Sequence, residues 1–376
     1  MKNTKLIRLN KIIANSLFFI AVSIPVQALA TIELTEDLRL SGFGSTSITK
    51  SDNKTPLFTN RRITDETCYD CDTIFGLQLD YDFLESFTTS VQVVKRPQDD
   101  FSSPELEWAY VGYETESFDF KVGKLRLPLF LHSEYYFVAQ AYTESRPNQE
   151  VYDSIFGITS FIGANFTWNT ALGDELMLNV TPYYGGNYSQ EVTIGLTGYK
   201  FDINDLYGAS IDLSGDNYRI HFNALHAGFD MTVQLANLPI PFISEGEDAN
   251  IYSLGAEYDF SETIFIAEVY KRDDILNWYT GVKYRMSAFT PYINYGKSSG
   301  KASNYNHSIT TGVRYDVTNS ISINLEYQQV NMDKEVSLPS LTSSTGGPLG
   351  QFEENPLFYG TKVDAEVATF MINFIF

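Results

Sequence analysis

Basic residues are scarce in this sequence. Its 376 residues hold 26 Lys and Arg against 47 Asp and Glu, a formal charge of −21. A chain of that sign lacks the positive footprint that nucleic-acid phosphates demand, so no nucleic-acid partner is expected. Long apolar runs are missing too. After residue 30 nothing approaches the roughly 20 apolar residues of a membrane-spanning helix. Cysteine is limited to Cys68 and Cys71, and two cysteines alone do not make a zinc site. Histidine is limited to His132, His221, His226 and His307. None of these stands in a nucleophile context such as G-x-S-x-G, which argues against a hydrolase. No enzyme, cofactor or metal is expected.

What is present starts with the first thirty residues. Lys2, Lys5, Arg8 and Lys11 form a basic stretch, and Ile12–Val26 is mostly apolar. Ala28-Leu29-Ala30 then gives the small-x-small pattern of a signal-peptidase site, so residues 1–30 read as a cleaved signal peptide. The alternative, a retained anchor, is weakened by Asn15, Ser16 and Ser23, which interrupt the run. The mature chain, 31–376, holds 376 − 30 = 346 residues. The 25 Tyr and 27 Phe of the full sequence exclude a disordered chain. An exported, acidic, aromatic chain without a spanning helix is a secreted β-protein or an outer-membrane barrel. The last residues favour the barrel: Phe370, Ile372, Phe374 and Phe376 share one strand face. A soluble protein rarely ends so, because chain ends fray into water, whereas a lipid-facing strand buries such a row in hydrocarbon.

Segments of about ten residues that alternate apolar and polar positions recur along the chain, the pattern of a membrane strand. In Ile74–Asp82, Phe75, Leu77, Leu79 and Tyr81 lie on one face and Gly76, Gln78 and Asp80 on the other. Later segments repeat this with Ile309, Thr311, Val313, Tyr315 and Val317, then Ile321, Ile323, Leu325 and Tyr327. The alternation predicts an all-β, antiparallel transmembrane barrel of about sixteen strands, in a single domain. The connections carry more weight than any one strand. Phe83–Ser86, Ser261-Glu262, Ser287 and Thr318-Asn319 are tight turns, whereas the other connections are mostly long, at 49–73, 126–156, 186–205, 227–250 and 331–363, with shorter ones near 97–104, 272–275 and 298–306. Short and long connections alternate by parity, as short periplasmic turns and long extracellular loops require. A sandwich or propeller has no reason to sort its loops in this way.

Glu107-Trp108-Ala109-Tyr110-Val111-Gly112-Tyr113, followed by Phe118-Asp119-Phe120-Lys121-Val122-Gly123-Lys124, resembles the Gram-negative porin superfamily. There an aromatic strand turns tightly into one reading F-x-x-x-x-G-R/K. Leu40-Ser41-Gly42-Phe43-Gly44 looks like the first strand of such porins. The resemblance spans the mature chain as a pattern but rests on these short motifs as residues. It implies sixteen strands, a homotrimer and passive diffusion of small hydrophilic solutes. The ending with Phe370, Phe374 and Phe376 resembles the C-terminal strand read by the barrel-assembly machinery. Outer-membrane lipid and lipopolysaccharide are the implied surroundings. The acidic Pro-Glu-Phe-Gly-Gly type motif of many general porins is absent from the third loop, so substrate preference is not carried over.

The third extracellular loop, 126–156, occupies the position where porins fold a loop into the lumen. Folded inward it would bring Arg126, His132, Glu134, Glu144 and Arg146 to a constriction; an external cap is the alternative. Alternation assigns Arg39, Lys121, Arg219, His221, Lys283, Arg285 and Arg314 to the lumen, with Arg96 beside them. The acidic residues assigned inward are Asp80, Glu107, Glu257, Asp316 and Glu326. Opposed charges in a narrow pore select ions by sign, or they may simply pair and fill the lumen. The acidic excess lies mostly in loops and turns, favouring a mild cation preference at low salt. Cys68 and Cys71 are expected to form a disulfide, since exported chains meet oxidising conditions. A channel specific for sugar, phosphate or organic acid remains open, as does a plugged structural or adhesive barrel.

Overall fold

The computed structural model describes residues 31–97, 103–155, 157–173, 175–194, 197–235, 241–300, 306–332, 351, 361–362 and 364–376. The expected signal peptide lies outside them. All strands join one antiparallel sheet. In chain order they are β1 (Ile32–Glu33), β2 (Leu38–Ser51), β3 (Ile74–Leu84), β4 (Phe87–Lys95), β5 (Glu105–Glu114) and β6 (Phe118–Arg126). Next come β7 (Ser160–Leu172), β8 (Leu176–Gly185), β9 (Tyr188–Ile194), β10 (Thr197–Gly215), β11 (Tyr218–Leu235) and β12 (Phe242–Phe260). The last six are β13 (Thr263–Arg272), β14 (Ile275–Tyr284), β15 (Phe289–Ser299), β16 (Asn306–Thr318), β17 (Ile321–Met332) and β18 (Asp364–Ile375). The short β1 and β9 are additions; the other sixteen close into a barrel.

Closure is made by β18 on β2, in register from Val367↔Ser51 to Ile375↔Phe43. Beyond the strand end, the Phe376 N–H donates to the Gly42 carbonyl at 2.9 Å and the Gly42 N–H returns a bond at 2.8 Å. The rings of Phe374 and Phe376 lie over Gly44 and Gly42, where a Cβ would come within 2.5 and 2.3 Å of them. The two glycines therefore seat the terminal aromatics on the seam.

Period-two alternation sorts every strand into an outer and an inner row. On β3, Phe75, Leu77, Leu79 and Tyr81 are exposed, and they face outward. Near the rim of short turns, Tyr81, Phe83, Phe87, Tyr113, Phe118 and Phe166 follow one another around the outside. Their successive ring centroids are 6.1, 5.7, 4.9, 6.1 and 5.7 Å apart. This is the aromatic girdle of an outer-membrane barrel, where amphipathic rings meet the lipid headgroups. All seven connections at that rim, from Glu85-Ser86 to Asn319-Ser320, have two to four residues. The long connections gather at the other rim.

One part of the rim departs from expectation. The segments 186–205 and 227–250, expected as loops, are largely strand, because β9–β12 run on past their neighbours. Alternation continues there, with Tyr199, Phe201 and Ile203 turned inward and buried. Register shifts at Ile203/Asp205 and Phe229/Met231 break the period in the sequence and hide it.

Candidate functional site

The barrel interior is organised by residues 127–159, between β6 and β7. Arg126, expected as the first loop residue, is the last of β6. The first arm, Leu127–Leu131, is apolar and clusters with Tyr152, Phe161, Tyr183, Leu225, Ile266, Tyr270 and Tyr279. Its backbone polar groups find partners on inner faces of the wall. The Pro128 carbonyl accepts from Asn223 at 2.8 Å, and the Leu131 N–H donates to Glu268 at 2.8 Å. Phe137 then packs against Phe43, Ile74 and Val94 of β2–β4. The return arm lies along β14–β18. Arg314 donates to the carbonyls of Gln140 and Tyr142, and Asn324 to that of Thr143. Glu144 meets Lys283 at 3.1 Å and Asn294 at 3.0 Å. A helical turn at Gln149–Tyr152 follows, and the Tyr152 hydroxyl donates to Glu268 at 2.8 Å.

Two ionic hubs hold this segment. In the first, Glu107 pairs with Arg96 at 2.5 Å and with Arg126 at 2.7 Å. Arg96 also reaches the Gly157 carbonyl and the Thr159 hydroxyl, so it ties the segment's end to the wall. The second hub centres on Asp72, in the connection between β2 and β3. Arg146 binds Asp72 at 2.7 Å and Glu326 at 3.2 Å, while Arg61 binds Asp72 at 3.0 Å. Although burial opposes ionisation, Arg146 and Arg61 hold the Asp72 carboxyl far below the usual carboxylate range. Just ahead of Asp72, Cys68 and Cys71 are joined by a disulfide. Asp70 is close to both sulfurs, but their bonding leaves no thiolate for a metal.

Of the five residues expected at a constriction, only Glu134 is exposed; Arg126 is half-buried and paired. Glu144 and Arg146 are buried in ion pairs. His132 is buried against Tyr135, Tyr142 and Tyr152. Burial lowers its imidazole to about 3, so it stays neutral. Lys283, Arg314, Arg96, Glu107, Glu326 and His221 are likewise buried on the inner wall.

The wall nearer the short turns is different. Arg39 pairs with Asp82 at 2.7 Å with both side chains part-exposed, and faces Asp80 across the β2–β3 ladder. Lys121 meets Asp119 at 2.7 Å. Arg219 bonds Asp212 at 3.2 Å and the Tyr135 hydroxyl at 3.1 Å, and stands opposite Glu257 in the β11–β12 register. Glu134 lies close enough to act electrostatically on both Lys121 and Arg219. Arg285 lies on the β14–β15 turn with Asp259, and Asp316 holds Arg314 at 2.7 Å. Sequence reasoning missed Glu268, although the alternation Ile264, Ile266, Glu268, Tyr270 marks it as inward. It also missed Asp72 as a hub, together with Arg61, Glu150 and Asp153. These four lie in connections, where no period betrays a side chain's direction.

The class this architecture defines is the sixteen-stranded, porin-like outer-membrane β-barrel. Solved structures of that class are similar in fold. OmpF of Salmonella typhi, in complex with daunomycin, superposes with a TM-score of 0.58 at 14% identity, covering 92% of this chain and 100% of that one. An anion-selective porin from Comamonas acidovorans gives 0.55 at 13%, over 90% and 99% of the two chains. OmpT, an outer-membrane protein of Vibrio cholerae, gives 0.57 at 11%, over 91% and 99%. At the level of sequence, no family model and no curated protein matches the chain.

Proposed function

We propose that this chain is an outer-membrane channel for small hydrophilic solutes, with residues 127–159 lying across the lumen as a folded restriction. The observation that carries the reading is the contrast along the inner wall. The restriction bonds to inner faces from β2–β5 and β11–β18, yet Arg39, Asp80, Lys121, Asp212, Arg219 and Glu257 stay part-exposed beside it. A solid barrel has no use for solvated charges there, whereas a water-filled vestibule does. With Glu134, Asp82, Asp119 and the Asp259–Arg285 pair added, seven acids stand against four bases, which supports a mild preference for cations. The reading is non-enzymatic: His132 bonds Tyr135, His221 bonds Asp212 and the Pro128 carbonyl, and His226 bonds Asn250, so none of these three stands on a Ser, Thr or Cys side chain that it could activate as a nucleophile. Membership in a homotrimer, cleavage after Ala30 and assembly through the Phe370, Phe374 and Phe376 ending belong to the same proposal.

A plugged structural barrel is the second reading. It is favoured by the loop-side wall, where Ser47, Thr49, Ser51, Val330 and Val367 are all buried. Conductance of the purified mature chain in a planar bilayer under a salt gradient separates the two. A stable unit conductance with a cation-sign potential is the expected result. Silence from a folded barrel would establish the plug.

A further inference from the structure

The restriction contains one buried carboxyl that no cation among the described residues balances. Glu150 sits in the Gln149–Tyr152 turn and is 2% exposed. One carboxylate oxygen accepts from Ser308 at 2.6 Å and from Gln351, while the other has no partner. Its carboxyl group fills the space at Gly296 where a Cβ would stand, so β15 is shaped to receive it. Among the described residues no cation pairs with it, and the nearest charge on its own turn, Asp153, is acidic. Asp153 has Arg61 only at 3.9 Å and the Thr59 N–H at 3.3 Å. An isolated buried carboxylate is costly, and the cost vanishes on protonation.

We propose that the Glu150–Asp153 turn is a pH-operated latch: protonated, it docks residues 127–159 on the β15–β16 wall, and deprotonated, it lets that segment loosen and widen the channel. The docking half of this claim stands on the geometry alone; the widening half rests on the channel reading above.

The direction follows from the two carboxyls. Burial pushes Glu150 up to about 7, and burial raises Asp153 to about 6 although Arg61 draws it back. A carboxyl raised in the docked state binds its proton more tightly there. Docking is therefore strongest below the free-carboxyl range and weakens as pH rises through 6 to 7. Buried neutral His132 works the other way, since a released imidazole would gain a proton below its ordinary value. Asp72 and Glu144 are held low by Arg146 and Lys283 and change charge only in stronger acid. The wall carboxyls Glu268 and Glu326 also face the segment, accepting from the Tyr152 hydroxyl and the Ser145 N–H, and E150Q separates their part from that of Glu150. Within the turn the two raised carboxyls outweigh His132, leaving docking favoured on the order of tenfold at pH 5 over pH 8.

The test is hydrogen exchange of residues 143–153 in the folded, detergent-solubilised full-length chain, as protection relative to intrinsic rates, together with bilayer conductance at both pH values. Protection is expected to fall on the order of tenfold from pH 5 to pH 8, and conductance to rise. E150Q, in which only Asp153 is left to oppose His132, should show no fall in protection from pH 5 to pH 8. Equal protection at both pH values in the parent would overturn the latch, whether or not the barrel conducts. Protection that falls without conductance at pH 8 would keep the docking switch and remove the channel reading. Conductance that stays constant while protection falls would overturn the widening half.

Discussion

The interior of this barrel has two halves built from one alternating pattern and finished differently. Where the segment 127–159 leaves the wall open, inward charges such as Arg39, Lys121 and Arg219 keep solvent contact and make part-exposed pairs. Where the segment lies against the wall, inward residues of the same kind are sealed, among them Lys283 and Arg314 toward the short-turn ends of β14 and β16. Glu107 is 0% exposed between Arg96 and Arg126, and Arg146 is 3% exposed between Asp72 and Glu326. What differs is the segment 127–159, which brings Arg146 and Glu144 to meet charges of the wall and covers the Glu107 hub with Gly157 and Thr159. A charge on a strand face is thus neither a pore lining nor a structural tie until a loop approaches it. The energetic consequence is large: an exposed pair contributes at most about 1 kcal/mol, whereas losing one member of a buried pair costs about 3–5 kcal/mol.

The sharpest break in the comparison is therefore Arg146→Ala. It leaves Glu326 without its cation and Asp72 with Arg61 alone, and it also withdraws the side chain stacked 5.3 Å over Phe58. The expected outcome is loss of about 3–5 kcal/mol of docking free energy, seen as fast hydrogen exchange in 143–153 and larger unit conductance, with the barrel still heat-modifiable. Unchanged exchange would mean that the hub is not what holds the segment. Glu107→Gln comes next. The amide keeps the volume and an acceptor but leaves Arg126 without a counter-charge and Arg96 with only the part-exposed Glu105 at 3.4 Å. A loss of about 1–3 kcal/mol is expected, read as a lower urea midpoint and an earlier release of the segment's Gly157–Thr159 end.

The outer wall was more legible in the sequence than the inner arrangement, for a physical reason. Lipid imposes a strict period of two, so Ile309, Tyr315 and Val317 of β16 read correctly as one face and Arg314 as the other. Where bulges interrupt that period, at Ile203/Asp205 and Phe229/Met231, the reading turned strand into loop. The inner hubs lacked any local mark. Arg146 meets Asp72 across 74 positions and Glu150 meets Ser308 across 158, so the partners are set by how the chain closes. Glu268 is the exception: its parity alone points it inward, to the Tyr152 and Tyr279 hydroxyls and the Leu131 N–H.

The smallest effect on stability should come from the solvated half, and it carries the most direct information on transport. Arg219→Ser removes a base that is 36% exposed, along with its bonds to Asp212 and Tyr135, while leaving Glu134 and Glu257 in place. The expected stability change is below about 1 kcal/mol, because solvent already screens the pair. The zero-current potential should nevertheless move toward stronger cation preference, since a base opposite Glu134 has gone. The shift should shrink at high salt, where the Debye length falls to about 3 Å at 1 M. A potential that does not move at low salt would place the ion path away from β11. The solvated charges would then be a vestibule wall that ions never approach, and the contrast between the two halves would be one of packing alone.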